Sequence, residues 1–326
     1  SHLSMGLPGI AKKFGLPVVF TLHDFFFMCP RGQFLQWGLT NKNPWALCDG
    51  QDHAKCSSKC FNRFIEGEDI KKELQQRESW VSTRMLASKN ASDMVDLFLA
   101  PSRRLMDRHI DEFNIENARI EYLDYGFDHS RLEGRCREKE DVFVFGYIGR
   151  HHPSKGIHDL IDAFAKLKGE AILRVWGRHE GQITQSLIRR AEGFGSCAER
   201  IEWLPEYDNE NIVKDVFNRC DCVVVPSIWD ENSPLVIHEA QQCRVPVITA
   251  KHGGMGEYVE DGVNGLTFMH RNSKSLLVSM QEAIDNQNQL SILGNRGYLY
   301  SIDGQIPSKE EHAVEVIERY NILLKK

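Results

Sequence analysis

Between residues 143 and 250 the chain alternates short apolar runs with stretches of helical apolar spacing, and no other feature narrows the possible folds as much. The run from Phe143 to Gly149, then Ala171 to Trp176, Ile201 to Leu204, Cys222 to Val225 and Val245 to Ala250, read as buried strands. A helix beginning near Ile157, then Gln182 to Gly193, Asn209 to Cys220 and Leu235 to Cys243, read as the intervening helices. Such alternation predicts right-handed βαβ crossovers, hence a parallel sheet with helices on both faces. In an open sheet of that kind ligands bind outside the carboxyl ends of the strands. The residues that follow each strand are therefore the candidates for function.

Two of those segments carry suitable chemistry. Residues 226–265 read PSIWDENSPLVIHEAQQCRVPVITAKHGGMGEYVEDGVNG. Pro226 and Ser227 break the strand, and Asn232, Ser233, Pro234 and Leu235 stand at a helix start, whose unpaired NH groups suit phosphate oxygens. Glu231 precedes that helix and Glu239, after seven intervening residues, lies about two turns inside it. Taken alone, such a pair is more often a dipole cap and a solvated helix residue. Residues 143–167, FVFGYIGRHHPSKGIHDLIDAFAKL, place Arg150 and Lys155 beside Gly149 in the first loop. A planar guanidinium fork and a compact ammonium together suit a diphosphate, although isolated loop cations are usually surface charges.

The segment at 226–265 resembles the Glu-x7-Glu signature of retaining GT-B glycosyltransferases of family four, and residues 143–167 resemble that family's strand-G-R-loop-K-G-helix motif. The resemblance implies a GT-B architecture, two Rossmann-like domains facing a cleft. It implies that Gly149, Arg150, Lys155, Asn232, Ser233, Pro234, Leu235 and Glu239 bind a nucleotide-sugar donor. Arg150 and Lys155 would neutralise its diphosphate, Glu239 would hold the ribose hydroxyls and Glu231 would lie near the transferred sugar. Gly253, Gly254 and Glu257 would border the donor cleft, and Arg178 and residues 204–207 would approach the base. The turn HGGMGE, residues 252–257, lacks the G-x-G-x-x-G spacing of a nicotinamide site.

The first half has the same character with fewer strands. Leu16 to Asp24 is an apolar strand ending in two polar residues, Leu97 to Met106 reads as strand, break and helix, and Ile120 to Asp128 resembles the family's strand-N-G-V-D segment with Tyr125 in place of asparagine. A lone histidine beside a strand is usually structural. The resemblance implies that His23 instead touches the donor sugar or the reacting centre, and with Glu231, Arg150 and Lys155 it completes the candidate catalytic set. Two or three strands are legible here, and nothing before Leu16 supplies the family's opening strand and glycine-rich loop. The expected division is 1–135, an incomplete acceptor-side domain; 136–305, the donor domain, after a linker near 129–141; and 306–326, a helix returning to the first domain.

Nine cysteines are present, and Cys29, Cys48, Cys56 and Cys60 cluster in sequence. Four thiolates could hold a structural zinc. Their separations of eighteen, seven and three residues do not match a two-residue knuckle, so reduced thiols and disulfides remain alternatives. No Asp-x-Asp motif of the kind that holds a divalent cation on a diphosphate occurs. At 326 residues and 41% hydrophobic content the chain can bury two modest cores. A net charge of −6 gives no general attraction to nucleic acid or anionic lipid. Arg103, Arg104 and Arg108 on one helix could meet the cytoplasmic membrane face, although a solvated face is the commoner role. The resulting expectation is a cytoplasmic, retaining, metal-independent glycosyltransferase with a glycan or lipid-linked acceptor in bacterial surface polysaccharide synthesis. A GT-B phosphorylase or epimerase, or a non-catalytic sugar-nucleotide-binding subunit, would share its motifs.

Overall fold

A computed structural model describes residues 4–37, 45–61, 69–137 and 140–325. The expected linker at 129–141 therefore falls partly outside the described residues, as does part of the cysteine-rich segment between Cys29 and Cys60. The chain divides into two compact units, one reaching to Tyr125 and resumed from Glu310, the other spanning Gly126–Lys309.

The first unit opens with α1 (Leu7–Lys13) and β1 (Val19–Thr21), followed by the short α2 (His53–Cys56), continued by a π turn over Ser57–Phe61. The long α3 (Ile70–Asp93), β2 (Leu97–Ala100), α4 (Arg103–Phe113) and β3 (Ile120–Tyr122) complete it. The three strands form a parallel sheet in the order β1-β2-β3, with Val19 opposite Leu97 and Phe98 opposite Ile120. β2 is central and wholly buried, as an unbroken apolar run requires. The first strand is shorter than its apolar run suggests. Leu16 is exposed, while His23 and Asp24 follow the strand at its carboxyl end.

The second unit contains β4 (Phe143–Ile148), α5 (Ile157–Phe164), β5 (Ala171–Trp176), α6 (Gly181–Glu192), β6 (Ile201–Leu204), α7 (Ile212–Asp215), β7 (Cys222–Val225) and α8 (Leu235–Gln242). It ends with β8 (Val247–Ala250), α9 (Met255–Tyr258), β9 (Gly265–Phe268), α10 (Ser273–Asp285) and α11 (Gln287–Arg296). Its six strands are all parallel, in the order β6-β5-β4-β7-β8-β9. The chain runs outward from β4 to β6, returns to β7 beside β4, and runs outward the other way. Right-handed crossovers in opposite directions put their helices on opposite faces, so β4 and β7 flank a topological switch point. Every residue of β4 is buried, and full burial of a side chain such as Phe145 contributes about 1.5–3 kcal/mol. A β-bridge between Phe127 and Ser308 joins the two ends of the unit.

The final helix, α12 (Lys309–Leu324), belongs to the first unit from Glu310 onward. There His312 Nδ1 lies 2.9 Å from the carbonyl oxygen of Asp124, and Arg319 Nε donates to Glu121 Oε2 at 3.0 Å.

Two expectations are corrected. The helix expected over Asn209 to Cys220 is broken into α7 and two flanking 3-10 turns, because Val216 leaves helical geometry (φ −125°, ψ −65°) and Phe217 turns fully into the core. Arg108 does not offer charge to a lipid surface. It is buried, its guanidinium lies 3.8 Å from the ring centre of Phe34, and Nε donates to Glu112 Oε1 at 2.5 Å. The structural zinc expected at Cys29, Cys48, Cys56 and Cys60 falls in a segment only partly described. Among the described residues no three His, Cys, Asp or Glu side chains gather as metal ligands, and Cys29, Cys48, Cys56 and Cys60 form no disulfide. Burial raises the Cys56 thiol to about 11 and that of Cys60 in the same direction. No helix among the described residues is long and apolar enough to cross a membrane.

Candidate active site

The loops at the carboxyl ends of β4, β7 and β8 are tied into one cluster around Glu231. Lys155, in the β4–α5 loop, donates from Nζ to Glu231 Oε1 at 2.6 Å, and Ser227 Oγ donates to the same oxygen at 2.6 Å. The Glu231 side chain is 6% exposed and that of Lys155 32%. A carboxylate this deeply placed requires such partners, since an unpaired buried charge is costly. Lys155 Nζ also lies 5.5 Å from the ring centre of Trp229. Backbone contacts hold the frame: Ile228 N donates to Ser154 O at 2.8 Å, and Gly254 N, from the β8–α9 turn, donates to Glu231 O at 2.7 Å.

Two glycines make this approach possible. A Cβ on Gly156 would fall 1.8 Å from the Pro226 carbonyl oxygen, and its φ of 72° is one side chains rarely adopt. A Cβ on Gly254 would fall 1.4 Å from the Asn232 carbonyl oxygen.

Above this cluster starts α8. Its N-cap is Pro234, which provides no side-chain cap; Ile237 N donates to Pro234 O at 3.0 Å, and the Leu235 and Val236 NH groups keep their capacity for an anion. Asn232 turns its Oδ1 to the backbone NH of Ser233. Asn232, Ser233 and Pro234 are buried while Leu235 is half exposed. Arg150 stands apart from Lys155 in its partners. Its side chain is 66% exposed and Nη2 pairs with Glu180 Oε1 at 2.6 Å. Tyr147, whose hydroxyl burial keeps well above its ordinary value, donates to the Arg150 carbonyl oxygen at 2.9 Å and so braces the loop. His151 is buried against Thr184 and stacked on His179, and burial lowers it to about 4. Gly149 N donates to Trp176 O at 3.1 Å, and Arg178 is exposed at the end of the neighbouring strand.

Glu239 is on the second turn of α8 with a different set of partners. Its side chain is 8% exposed, and Oε1 accepts from Arg131 Nη2 at 2.5 Å. The Tyr207 hydroxyl, raised to about 12 mainly by burial and further by Glu239, adds a neutral group to that corner. Gly253 has φ 58° and turns beside Asp230, whose carboxylate lies 3.9 Å from His252 Nε2. Glu257 sits on α9, where its carbonyl accepts from Tyr300 at 2.9 Å.

His23 belongs to the first unit. Its Nδ1 lies 2.8 Å from Tyr125 Oη, and the two rings stack at 5.6 Å and 14°. Beside it is an apolar cavity of about 630 Å³ lined by Val19, Phe20, Leu22 and Phe27, with Asp24 raised by burial at the edge.

The model of the family described as glycosyl transferases group 1 matches residues 131–300, more than half of the chain. The chain belongs to this family. Two curated relatives agree. The D-inositol 3-phosphate glycosyltransferase of Mycolicibacterium smegmatis is 29% identical over 192 residues, which is 56% of this chain and 44% of that protein. Its namesake from Rhodococcus jostii is 29% identical over 216 residues, 61% and 47% of the two chains. The chain thus aligns with less than half the length of either. Among solved structures, Anabaena HepE in complex with UDP superposes with a TM-score of 0.72 at 18% identity, covering 97% of this chain and 75% of that one. The sucrose-phosphate synthase of Thermosynechococcus elongatus gives 0.66 at 18%, covering 97% and 70%. At such identity these likenesses concern the fold, a GT-B arrangement of Rossmann-like units.

Within this family member the structure brings together Lys155, Glu231, Asn232 and Gly254. It gives Arg150 and Glu239 separate partners in the same unit and leaves Gly149, Arg178, Gly253 and Glu257 on neighbouring strand ends. Sequence reading missed Ser227 as a partner of Glu231, Glu180 as a partner of Arg150, and Arg131 as a partner of Glu239. The proline-serine break was a signal for the first. Arg131 was hidden in a stretch read as linker.

Proposed function

We propose that this chain carries the donor-binding and catalytic residues of a glycosyltransferase that moves a sugar from a nucleoside-diphosphate donor to an acceptor hydroxyl with retention of configuration. The observation that carries the reading is the Lys155–Glu231 pair at the switch point, beside the uncapped start of α8. Departure of the diphosphate builds negative charge on its outer phosphate. Lys155, Arg150 and the first NH groups of α8 would stabilise that charge, in a site where such fixed donors are worth more than in water. The acceptor oxygen would form its bond to the anomeric carbon on the face from which the phosphate oxygen departs, and the hydroxyl proton would pass to that leaving oxygen. Glu231 would address hydroxyls of the transferred sugar, Glu239 the ribose, and His23 the sugar or the reacting centre. HepE was captured with UDP, so a uridine donor is the first to try. A glycan or lipid-linked acceptor in surface polysaccharide synthesis suits the family.

The test is calorimetric titration of UDP, GDP, dTDP and ADP into the wild-type chain and into Lys155→Ala. Loss of one charge-assisted contact, about 1.5–3 kcal/mol, should weaken the preferred nucleotide by about 10- to 150-fold. Unchanged affinity in a folded Lys155→Ala protein would remove Lys155 from the site.

A further inference from the structure

Four cysteines far apart in the sequence of the first unit are brought to one place by its backbone. Cys29 stands in the loop after β1, with its NH on the Phe25 carbonyl oxygen at 2.7 Å and its own carbonyl accepting from Gly32 N at 2.8 Å. Cys48 N donates to Phe34 O at 2.7 Å, next to the bridge between Leu35 and Leu47, and this sets Cys48 beside the same loop. Cys56 closes α2, and Cys60 stands on the π turn that continues it. A helix puts residues four apart on one face, so this pair can chelate without a two-residue knuckle. The Cys56 sulfur has those of Cys29, Cys48 and Cys60 as electrostatic neighbours, Cys60 has Cys29 and Cys48, and Cys48 has Cys29. Each of the four therefore lies within reach of the other three.

The surroundings suit thiolates bound to a metal. The backbone at Asp52 and at Trp37 hydrogen-bonds the Cys56 and Cys60 sulfurs in the sense that favours the anion. Four thiolates on a zinc ion carry a net charge of about −2, and three cations stand close enough to offset it. Lys55, which also meets Asp49, neighbours Cys48; Arg31 neighbours Cys60; and Arg84 neighbours Cys29 and Cys56. As they stand, no three of the sulfurs are set as ligands about one point. Zinc asks for Zn–S distances of about 2.3 Å, hence about 3.8 Å between sulfurs in a tetrahedron. A change of χ1 moves a cysteine sulfur without moving its backbone. The bond given up would be the one from Cys48 Sγ to the Gly50 carbonyl oxygen, at 3.0 Å.

We propose that Cys29, Cys48, Cys56 and Cys60 form a structural tetrathiolate site for one zinc ion, which ties the loop after His23 and Asp24 to α2 and, through it, to α3. On binding, each thiol releases its proton to solvent and each sulfur gives one lone pair to the metal, with no electron transferred. Four protein ligands close the coordination sphere, so the ion holds the fold and has no open position for a substrate.

Metal content of the full chain, purified without chelator, tests the site independently of nucleotide binding. Inductively coupled plasma mass spectrometry is run on wild type, Cys29→Ser, Cys48→Ser, Cys56→Ser, Cys60→Ser and, as a control, Cys136→Ser, whose cysteine is exposed in the other unit. Wild type and Cys136→Ser should carry about one zinc per chain, and each of the other four should lose most of it. Where those variants do not fold, wild type reconstituted with cobalt(II) decides. Tetrahedral thiolate ligation gives intense ligand-field bands and sulfur-to-cobalt charge transfer, and their absence would overturn the site. Stripping the zinc with chelator and a thiol-blocking mercurial should lower the Tm. Four free thiols with no bound metal in wild type, disulfides among the four in its intact mass, or zinc retained by all four serine variants would each overturn the proposal. Iron in place of zinc would overturn the choice of metal.

Discussion

Replacing Gly254 by alanine should both destabilise the second unit and disable its site. A Cβ there would lie 1.4 Å from the Asn232 carbonyl oxygen and 2.3 Å from its carbon, so the Asn232 peptide would have to retreat by about 2 Å to reach ordinary contact at about 3.5 Å. That retreat breaks the Gly254 N to Glu231 O hydrogen bond, worth about 0.5–1.5 kcal/mol, and adds an overpacking cost of about 1–3 kcal/mol. The sum, about 1.5–4.5 kcal/mol, corresponds to a fall in Tm of about 3–18 °C for a unit of this size. Moving Glu231 and Asn232 by more than 1 Å should also lower nucleotide affinity or turnover by about 100-fold. Differential scanning calorimetry and isothermal titration on Gly254→Ala read both effects. Gly256→Ala is the control, since its Cβ would meet nothing closer than 3.3 Å and it sits within α9. A Gly254→Ala protein that melts within a degree of wild type and binds nucleotide equally well would refute the reasoning from close approach.

Acid should destabilise the fold through its buried histidines. His109 is fully buried with Nδ1 on the Leu105 carbonyl oxygen, and burial lowers it to about 4, below its unfolded value of about 6.5. Its stabilising contribution is complete above the unfolded value and is lost as pH falls from about 6.5 to 4, at up to about 1.4 kcal/mol per pH unit. Urea unfolding of wild type and His109→Leu across that window should show a shallower slope in the variant, and parallel slopes would refute the assignment. Thiol labelling at pH 8 should modify exposed Cys136 first, with Cys220 and Cys243, both pushed up to about 12 by burial, reacting only on unfolding. Mass spectrometry showing Cys220 alkylated as fast as Cys136 would contradict the structure.

The sequence revealed the second unit better than the first, for physical reasons. Strands such as Cys222–Val225 are buried on both faces and leave unbroken apolar runs, and α8 follows a proline at its start. By contrast α3 buries only Val81, Ser88, Ala91 and Ser92 of its 24 residues, so no apolar stripe announces it. The break at Val216 comes from packing of Phe217 and has no glycine or proline to mark it. Arg108 looked like a surface cation because its cover, Phe25 and Phe34, is remote in sequence. The site was legible as residue types at strand ends, since Arg150, Lys155, Glu231 and Glu239 each follow or adjoin a readable element. Which of them pair with one another was not, because ion pairs such as Arg131–Glu239 depend on the order in which the strands are laid side by side.

That order has a kinetic consequence. β4 pairs with β5 soon after it in the chain, but its other neighbour is β7, with Phe145 opposite Cys222, and this contact closes the longest loop in the sheet's central pair. Closing a long loop spends chain entropy before any pairing rewards it, which slows folding of parallel topologies. The Lys155–Glu231 contact spans the same seam, so it can form only when that seam has closed. A nucleotide bound there would then recognise a structure completed late, and it should lengthen the lifetime of the folded unit by slowing unfolding while leaving the refolding rate nearly unchanged.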